Sequence, residues 1–494
     1  MTSSSIDDAD KDAVTDKGSN PIEPLAGLRG RLGVLGVVSA VLAFTAPLGG
    51  VAGYVALIIA SGNGLGAPAT FVAVGILILL FSIGYTRMTQ LVPTAGGFYA
   101  YVSVGLGRAV GLGTGLLTTT GYLVGGFGFC VFGGMVASST IQARLAGAAV
   151  PWWAYTLGFI GVVTALSYRR IDASVRVMTV VMAVEVGIVA VFDLFVGLRG
   201  GPTGRSLESF TTHAALSGSP TIAALFAFLL FVGFEVTTLF REEVKDPART
   251  IRRSTYLSVG FIAAFYALSA WCMITAFGTE EAVSRAQEDP AGMFFGGVDR
   301  YLGPTATTIA SYLLITSVFA CQLSYANTVC RYLYSMGHDG VLPKVLGRAH
   351  SHHGSPHRAA MVLGVVSAGL TLAVAGCQLS PTDVFTWALF VAGIPLLAGY
   401  VLVGASIFVH FVRNRSHDLV TGRLLFSSGL ALAGLAGILV LALANPSALA
   451  GRDSILNYVV PAALLSVLIG GVGYGFVLRI RRPQVYRRIG RRLG

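Results

Sequence analysis

The chain is poor in charge. Only 12% of its 494 residues are Asp, Glu, Lys or Arg, against about 25% in a soluble globular domain. With 54% hydrophobic residues and a mean hydropathy of +0.74, a water-soluble fold is excluded, because no soluble core hides that much apolar surface. Cysteine is scarce as well. Cys130, Cys272, Cys321, Cys330 and Cys377 fall in or beside apolar stretches, and none stands at metal-ligand spacing, so they read as small buried hydrophobes. The first 25 residues lack the basic start of a secretion signal. Asp7, Asp8, Asp10, Asp12, Asp16 and several serines make them polar and acidic instead. They read as a disordered cytoplasmic tail, and the first apolar helix is expected to stay in the membrane. A Walker-type phosphate loop is missing, which argues against direct drive by ATP. A nucleophile–base pair or metal constellation is missing from the apolar segments, which argues against an enzyme. No cofactor and no metal are expected.

What the chain has in abundance is long apolar runs. A spanning helix needs about 20 apolar residues. Spans are predicted near 33–60, 66–92, 109–137, 152–168, 174–198, 221–240, 254–277, 305–335, 359–377, 382–411, 424–444 and 457–479. The fold class is therefore an all-α membrane protein of about twelve helices. Basic residues set its orientation. The outer connections hold Arg144, Arg199, Arg205, Arg285, Arg300 and Arg452, and the rest of the 34 lysines and arginines fall on the inner side. Both termini are then cytoplasmic. The net charge of +11 is explained by the anionic inner leaflet and calls for no nucleic acid. The outer connection at 278–304 contains Ala291-Gly292-Met293-Phe294-Phe295, which fits either a short amphipathic helix over the outer mouth or a plain surface loop.

Two spans are interrupted. The first carries Thr45-Ala46-Pro47-Leu48-Gly49-Gly50, and the sixth carries Phe231-Val232-Gly233-Phe234-Glu235. Proline removes a backbone donor, glycine relaxes the helix, and broken backbone persists in a bilayer only where it is buried in protein or lines a cavity. Spans one and six are equivalent if the first ten form a five-plus-five inverted repeat. Paired breaks then point to a midplane site. Freed amides near Pro47, Gly49 and Gly50 suit a carboxylate, and freed carbonyls of Phe231, Val232 and Gly233 suit an ammonium group. Glycine is common throughout this chain, with 63 residues, so either break alone is weak and the pair is what counts.

Four stretches together resemble the amino acid–polyamine–organocation superfamily over nearly the whole chain. They are the broken first span; Val92-Pro93-Thr94-Ala95-Gly96-Gly97-Phe98-Tyr99-Ala100-Tyr101 with Gly105-Leu106-Gly107-Arg108; Phe231 to Glu235 with Glu242-Glu243-Val244-Lys245-Asp246-Pro247-Ala248-Arg249; and Arg331-Tyr332-Leu333-Tyr334-Ser335-Met336-Gly337-His338-Asp339-Gly340. The resemblance implies a LeuT-like five-plus-five inverted repeat with two extra helices, alternating access, and transport coupled to H+ or Na+. It implies a core at 29–411, with repeats about 33–198 and 221–411, two added helices in 424–479, and tails at 1–28 and 480–494. One departure bears on substrate class: Pro-Leu-Gly-Gly stands where many members have Gly-Ser-Gly or Gly-Ala-Gly.

Carboxylates inside a bilayer are costly and usually have a task. Glu185 lies mid-span in Val184-Glu185-Val186, at the fifth-span position where some members of the superfamily carry a lysine in place of a sodium ion. It can hold a cation or a proton, or make a structural hydrogen bond. Glu235 follows the second break, where the superfamily often has an acid, and shares the coupling assignment. Asp193, near the outer end of its span, reads as structural. Tyr122, Phe226, Phe231, Phe234, Ser324, Tyr325 and Trp387 stand at the depth of a substrate gate, though packing is the commoner use of such residues. Ser317, Cys321, Ser324 and Thr328 share one face of the eighth span. His350, His352, His353 and His357 cluster without a cysteine or carboxylate and read as a solvated loop.

The reading is a secondary carrier for an amino acid, with a polyamine, ethanolamine or other amine as the alternative. A channel or sensor is the rival class, and it would call for a pore-lining ring or an attached soluble domain. Substrate identity, symport against antiport, and oligomeric state stay open. Reporter fusions after residue 494 and within 278–304 are expected to report opposite sides of the membrane. Reports from the same side would overturn the even span count.

Overall fold

The computed structural model describes residues 33–92, 97–142, 150–169, 175–238, 244, 246–350, 355–414, 419–445 and 455–490. The acidic N-terminal tail, Pro93–Gly96, Glu242, Glu243, Lys245, His352 and His353 lie outside them. Twelve long helices are named here in chain order: α1 Val34–Ser61, α2 Ala67–Leu91, α3 Arg108–Gln142, α4 Trp152–Arg169, α5 Val175–Arg199, α6 Pro220–Thr238, α7 Pro247–Phe277, α8 Pro304–His338, α9 His357–Gly376, α10 Pro381–Arg413, α11 Leu419–Ala444 and α12 Leu456–Arg481. Among the described residues there is no β-strand; Gly201 and Gly204 form an isolated β-bridge.

Eleven of these helices are long and apolar enough to cross a membrane. The helix not counted is α4, which has 18 residues. Its ends are Trp152, Trp153, Tyr168 and Arg169, so its apolar stretch is short. It packs against α3 and α9.

Helix starts follow local chemistry. α7 begins at Pro247, earlier than its apolar run. Asp246 caps it by accepting the Arg249 amide at 3.2 Å, and Pro247 occupies the first turn, where a missing amide costs nothing. α3 and α8 run 35 residues each, also beyond their apolar runs. α10 passes through Pro395 without ending.

The broken helices α1 and α6 sit at the centre. α6 is almost wholly buried, whereas most of α11 and α12 is not, which places these two at the periphery. α2 packs along α7, α3 along α8 and α10, α11 along α10 and α2, and α12 along α3. The 278–304 segment forms two helices, Ala282–Glu288 and Pro290–Leu302. Met293, Phe294 and Val298 of the second are buried, with Phe294 edge-on to Phe192 of α5 at 5.4 Å. The amphipathic-helix option applies there, and the helix is packed onto the bundle.

Candidate functional site

The first break falls at Ala46. Helix Val34–Thr45 ends there, and Ala46 takes a left-handed conformation (φ 46°, ψ 77°) that non-glycine residues rarely adopt. Proline explains the position: Pro47 disfavours helix in the residue before it and starts the next helical segment without needing an amide partner. A π-helical turn, Gly50–Val55, follows. The second break falls at Val232 and Gly233. Val232 is extended (φ −61°, ψ 133°), Gly233 has φ +113°, and a tight turn covers Phe234–Thr238. The two breaks touch. A Cβ on Gly233 would lie 2.6 Å from the Phe44 ring, so glycine is required there by conformation and by space.

Several freed backbone groups already have partners from neighbouring helices. The Cys321 thiol of α8 donates to the Phe44 carbonyl at 2.9 Å, and the Tyr266 hydroxyl of α7 donates to the Thr45 carbonyl at 3.1 Å. The Gly49 amide donates to Ser317 Oγ of α8 at 3.4 Å, a long bond, and the Gly50 amide donates to the Ala46 carbonyl. Gly50 has no room for a side chain, since a Cβ would lie 2.3 Å from the Tyr266 hydroxyl.

Glu185 of α5 faces the first break. It is fully buried, and neither carboxylate oxygen makes a hydrogen bond of normal geometry. The Ser317 hydroxyl and the Leu48 amide lie beside it. Ala43, Met182 and Ala320 pack together there, joining α1, α5 and α8. A buried carboxylate without a partner is expensive, so a cation or proton is the natural complement.

Glu235 is the opposite case. Its carboxylate accepts from the Gly233 amide at 2.8 Å and from the hydroxyls of Tyr122 on α3 and Tyr400 on α10. Its own backbone carbonyl accepts from Tyr85 at 3.1 Å and Thr238 at 2.8 Å. One side chain thus ties the second break to α3 and α10. Asp193 is buried and accepts from the Ser269 hydroxyl of α7 at 2.8 Å, with its other oxygen unpaired.

Rings close the space around the breaks. Phe44 lies 4.3 Å from Tyr325 and 6.1 Å from Tyr122, and Tyr325 lies 5.7 Å from Phe129. Phe226 meets Tyr54 edge-on at 6.4 Å. The side chains of Phe231 and Phe234 point elsewhere: Phe231 lies against Gly75 of α2, and Phe234 packs with Phe81, Tyr85 and Tyr400. Ser324 and Thr328 bond back along α8, to the Ala320 and Ser324 carbonyls, so of that face only Ser317 and Cys321 reach the break. Trp387 is half-buried. His350 and His357 stack edge-on at 5.0 Å beside Tyr168. Tyr266 and Tyr400 were not singled out from the sequence. Their signal was a phenol amid an apolar span, whose buried hydroxyl must find a partner.

Comparison with known proteins places this arrangement. The amino acid permease family model matches residues 35–472. The chain belongs to the amino acid permease family. The permease is 24% identical to the amino-acid permease RocC of Bacillus subtilis over 400 residues, which cover 75% of this chain and 79% of RocC. It is 30% identical to an uncharacterized transporter of Mycobacterium tuberculosis over 292 residues, 58% of this chain and 62% of that protein. The low-affinity putrescine importer PlaP of Escherichia coli is 23% identical over 308 residues, 61% of this chain and 66% of the importer. The permease is therefore a multi-pass membrane transporter.

Replacing Tyr400 by Phe removes one donor from the Glu235 carboxylate. The loss is expected to cost about 1.5–3 kcal/mol and to lower the unfolding temperature in detergent. An unchanged midpoint would mean that the hydroxyl does not hold Glu235.

Proposed function

We propose that the permease is a secondary carrier that binds a small amino acid or related amine between the two helix breaks and moves it by alternating access. The observation that carries this reading is the contact of the breaks, with Gly233 against Phe44. The Phe231 and Val232 carbonyls stand where α6 leaves the helix, and they suit a substrate ammonium group. The long Gly49–Ser317 bond leaves an amide that a substrate carboxylate can take over. The relatives' names fit a substrate that carries an amino group: an amino-acid permease, a branched-chain amino acid permease, a probable GABA permease and a putrescine importer. A substrate without a carboxylate would use the carbonyls and leave the Gly49–Ser317 bond intact, which is the basis of the amine alternative. Tyr122, Tyr325 and Phe44 fill the space in between. Substrate entry displaces these rings, and their return closes the site.

In the proposed cycle Glu185 carries the coupling cation, H+ or Na+. Its carboxylate lies beside Ser317 and Leu48, the same groups that flank the first break. Loading it neutralises a buried charge that would otherwise cost about 3 kcal/mol in the bilayer. Its occupancy thereby reaches the Gly49 amide through Ser317. Glu235, with its three donors, holds α6 to α3 and α10, and is the second coupling candidate.

Gly233→Leu is expected to insert normally and to lose substrate binding. Binding at the wild-type level would remove the site from the breaks. Glu185→Gln keeps the shape of the side chain and cannot change charge. It is expected to retain substrate exchange and lose accumulation driven by a pH or sodium gradient in proteoliposomes. Full accumulation with unchanged ion dependence would make Glu185 structural and move the coupling role to Glu235.

A further inference from the structure

The segment 483–490, just after α12, is fastened to the loop helix Gly97–Gly105 that precedes α3. α12 ends at Arg481, and Pro483–Arg488 forms a short helix directly after it. Ile489 is then 1% exposed. Gly490 takes φ +64°, and a Cβ there would lie 2.7 Å from Ser103 Cβ, so no other residue fits that seat without displacement. The seat is built from helix Gly97–Gly105 and the end of α8. Tyr99 donates to Asp339 Oδ2 at 2.8 Å, and the Gly490 amide faces both groups. Val485 lies 3.7 Å from the Cβ position of Gly340. The Arg108 guanidinium sits 5.9 Å from the Tyr486 ring centre, and the Tyr474 hydroxyl of α12 donates to the Val341 carbonyl at 3.1 Å.

The docked tail joins segments far apart in sequence: the loop helix before α3, the end of α8 and the end of α12. It also carries exposed cations. Arg481, Arg482, Arg487 and Arg488 are exposed, as are Lys344 and Arg348 just beyond the end of α8. Arg481 is the last residue of α12, a helix long and apolar enough to cross a membrane, so a bilayer crossed by α12 would set its headgroups beside these cations. Basic residues in that position attract anionic lipid. Among the described residues none of the four tail arginines forms an ion pair, although Arg488 lies near enough to act on the Asp339 carboxyl.

We propose that the tail is a lipid-sensing latch, in which anionic phospholipid headgroups bind the cationic face and thereby hold Ile489 and Gly490 against the loop helix and the end of α8. The latch goes beyond the carrier reading and does not depend on the substrate. Hydrogen exchange on the full-length protein tests it, in nanodiscs of phosphatidylcholine alone and of phosphatidylcholine with phosphatidylglycerol. Exchange at 97–105 and 483–490 is expected to slow when phosphatidylglycerol is present. The R481Q/R482Q/R487Q/R488Q variant is expected to lose that difference. Gly490→Val is expected to retain phosphatidylglycerol, read by native mass spectrometry, while losing the protection of 97–105. Equal wild-type exchange in the two nanodiscs would overturn the latch. So would equal slowing by inorganic phosphate in phosphatidylcholine alone, a retained lipid difference in the arginine variant, or retained protection of 97–105 in Gly490→Val.

Discussion

Backbone that leaves the helix inside a bilayer has no water to turn to, and the centre of this transporter is organised around that constraint. At the first break the Phe44 and Thr45 carbonyls are met by Cys321 and Tyr266, from α8 and α7. At the second, the Gly233 amide is met by Glu235, two residues on. Glu235 then needs donors for its remaining capacity, and Tyr122 and Tyr400 supply them. A local defect in α6 thus becomes a contact among three helices. Among the buried side-chain groups left without a partner, the Glu185 carboxylate is the one that faces a break.

The two acids illustrate how burial alone does not define a role. Glu185 and Glu235 are both buried in the same apolar bundle. One has a full set of donors and holds helices together. The other faces a hydroxyl and an amide without a formed bond. Desolvation penalises an unpaired charge far more than a hydrogen-bonded one. The difference is set by where the phenols of α3 and α10 project, and not by the acids themselves.

The membrane nature of the chain, most of its helices and the two breaks were legible in the sequence, because each rests on local chemistry. Apolar run length selects a span, Pro47 dictates a non-helical residue before it, and a glycine is the default where φ is positive, as at Gly233. The Asp246-Pro247 start of α7 was equally local, although apolar run length alone misses it. The helix α4 marks the edge of that method: its aromatic and basic ends shorten the apolar stretch, and it is recognised as an element of the bundle by its packing against α3 and α9.

What only the tertiary structure decided is which polar groups meet. Sequence spacing put Ser317, Cys321, Ser324 and Thr328 on one face of α8, but helical periodicity says nothing of what lies opposite. Two of the four reach the first break and two bond back to their own helix. Likewise the sequence marked Phe231 and Phe234 as aromatic groups beside a break. Both rings lie toward α2, against Gly75 and against Phe81 and Tyr85, and not between the breaks. Tyr400, Tyr266 and the docking of Gly490 on Ser103 join residues far apart in the chain. No local rule contains such pairings: they follow from the need of each buried hydroxyl, amide and carboxylate to find a partner once the helices have closed around it.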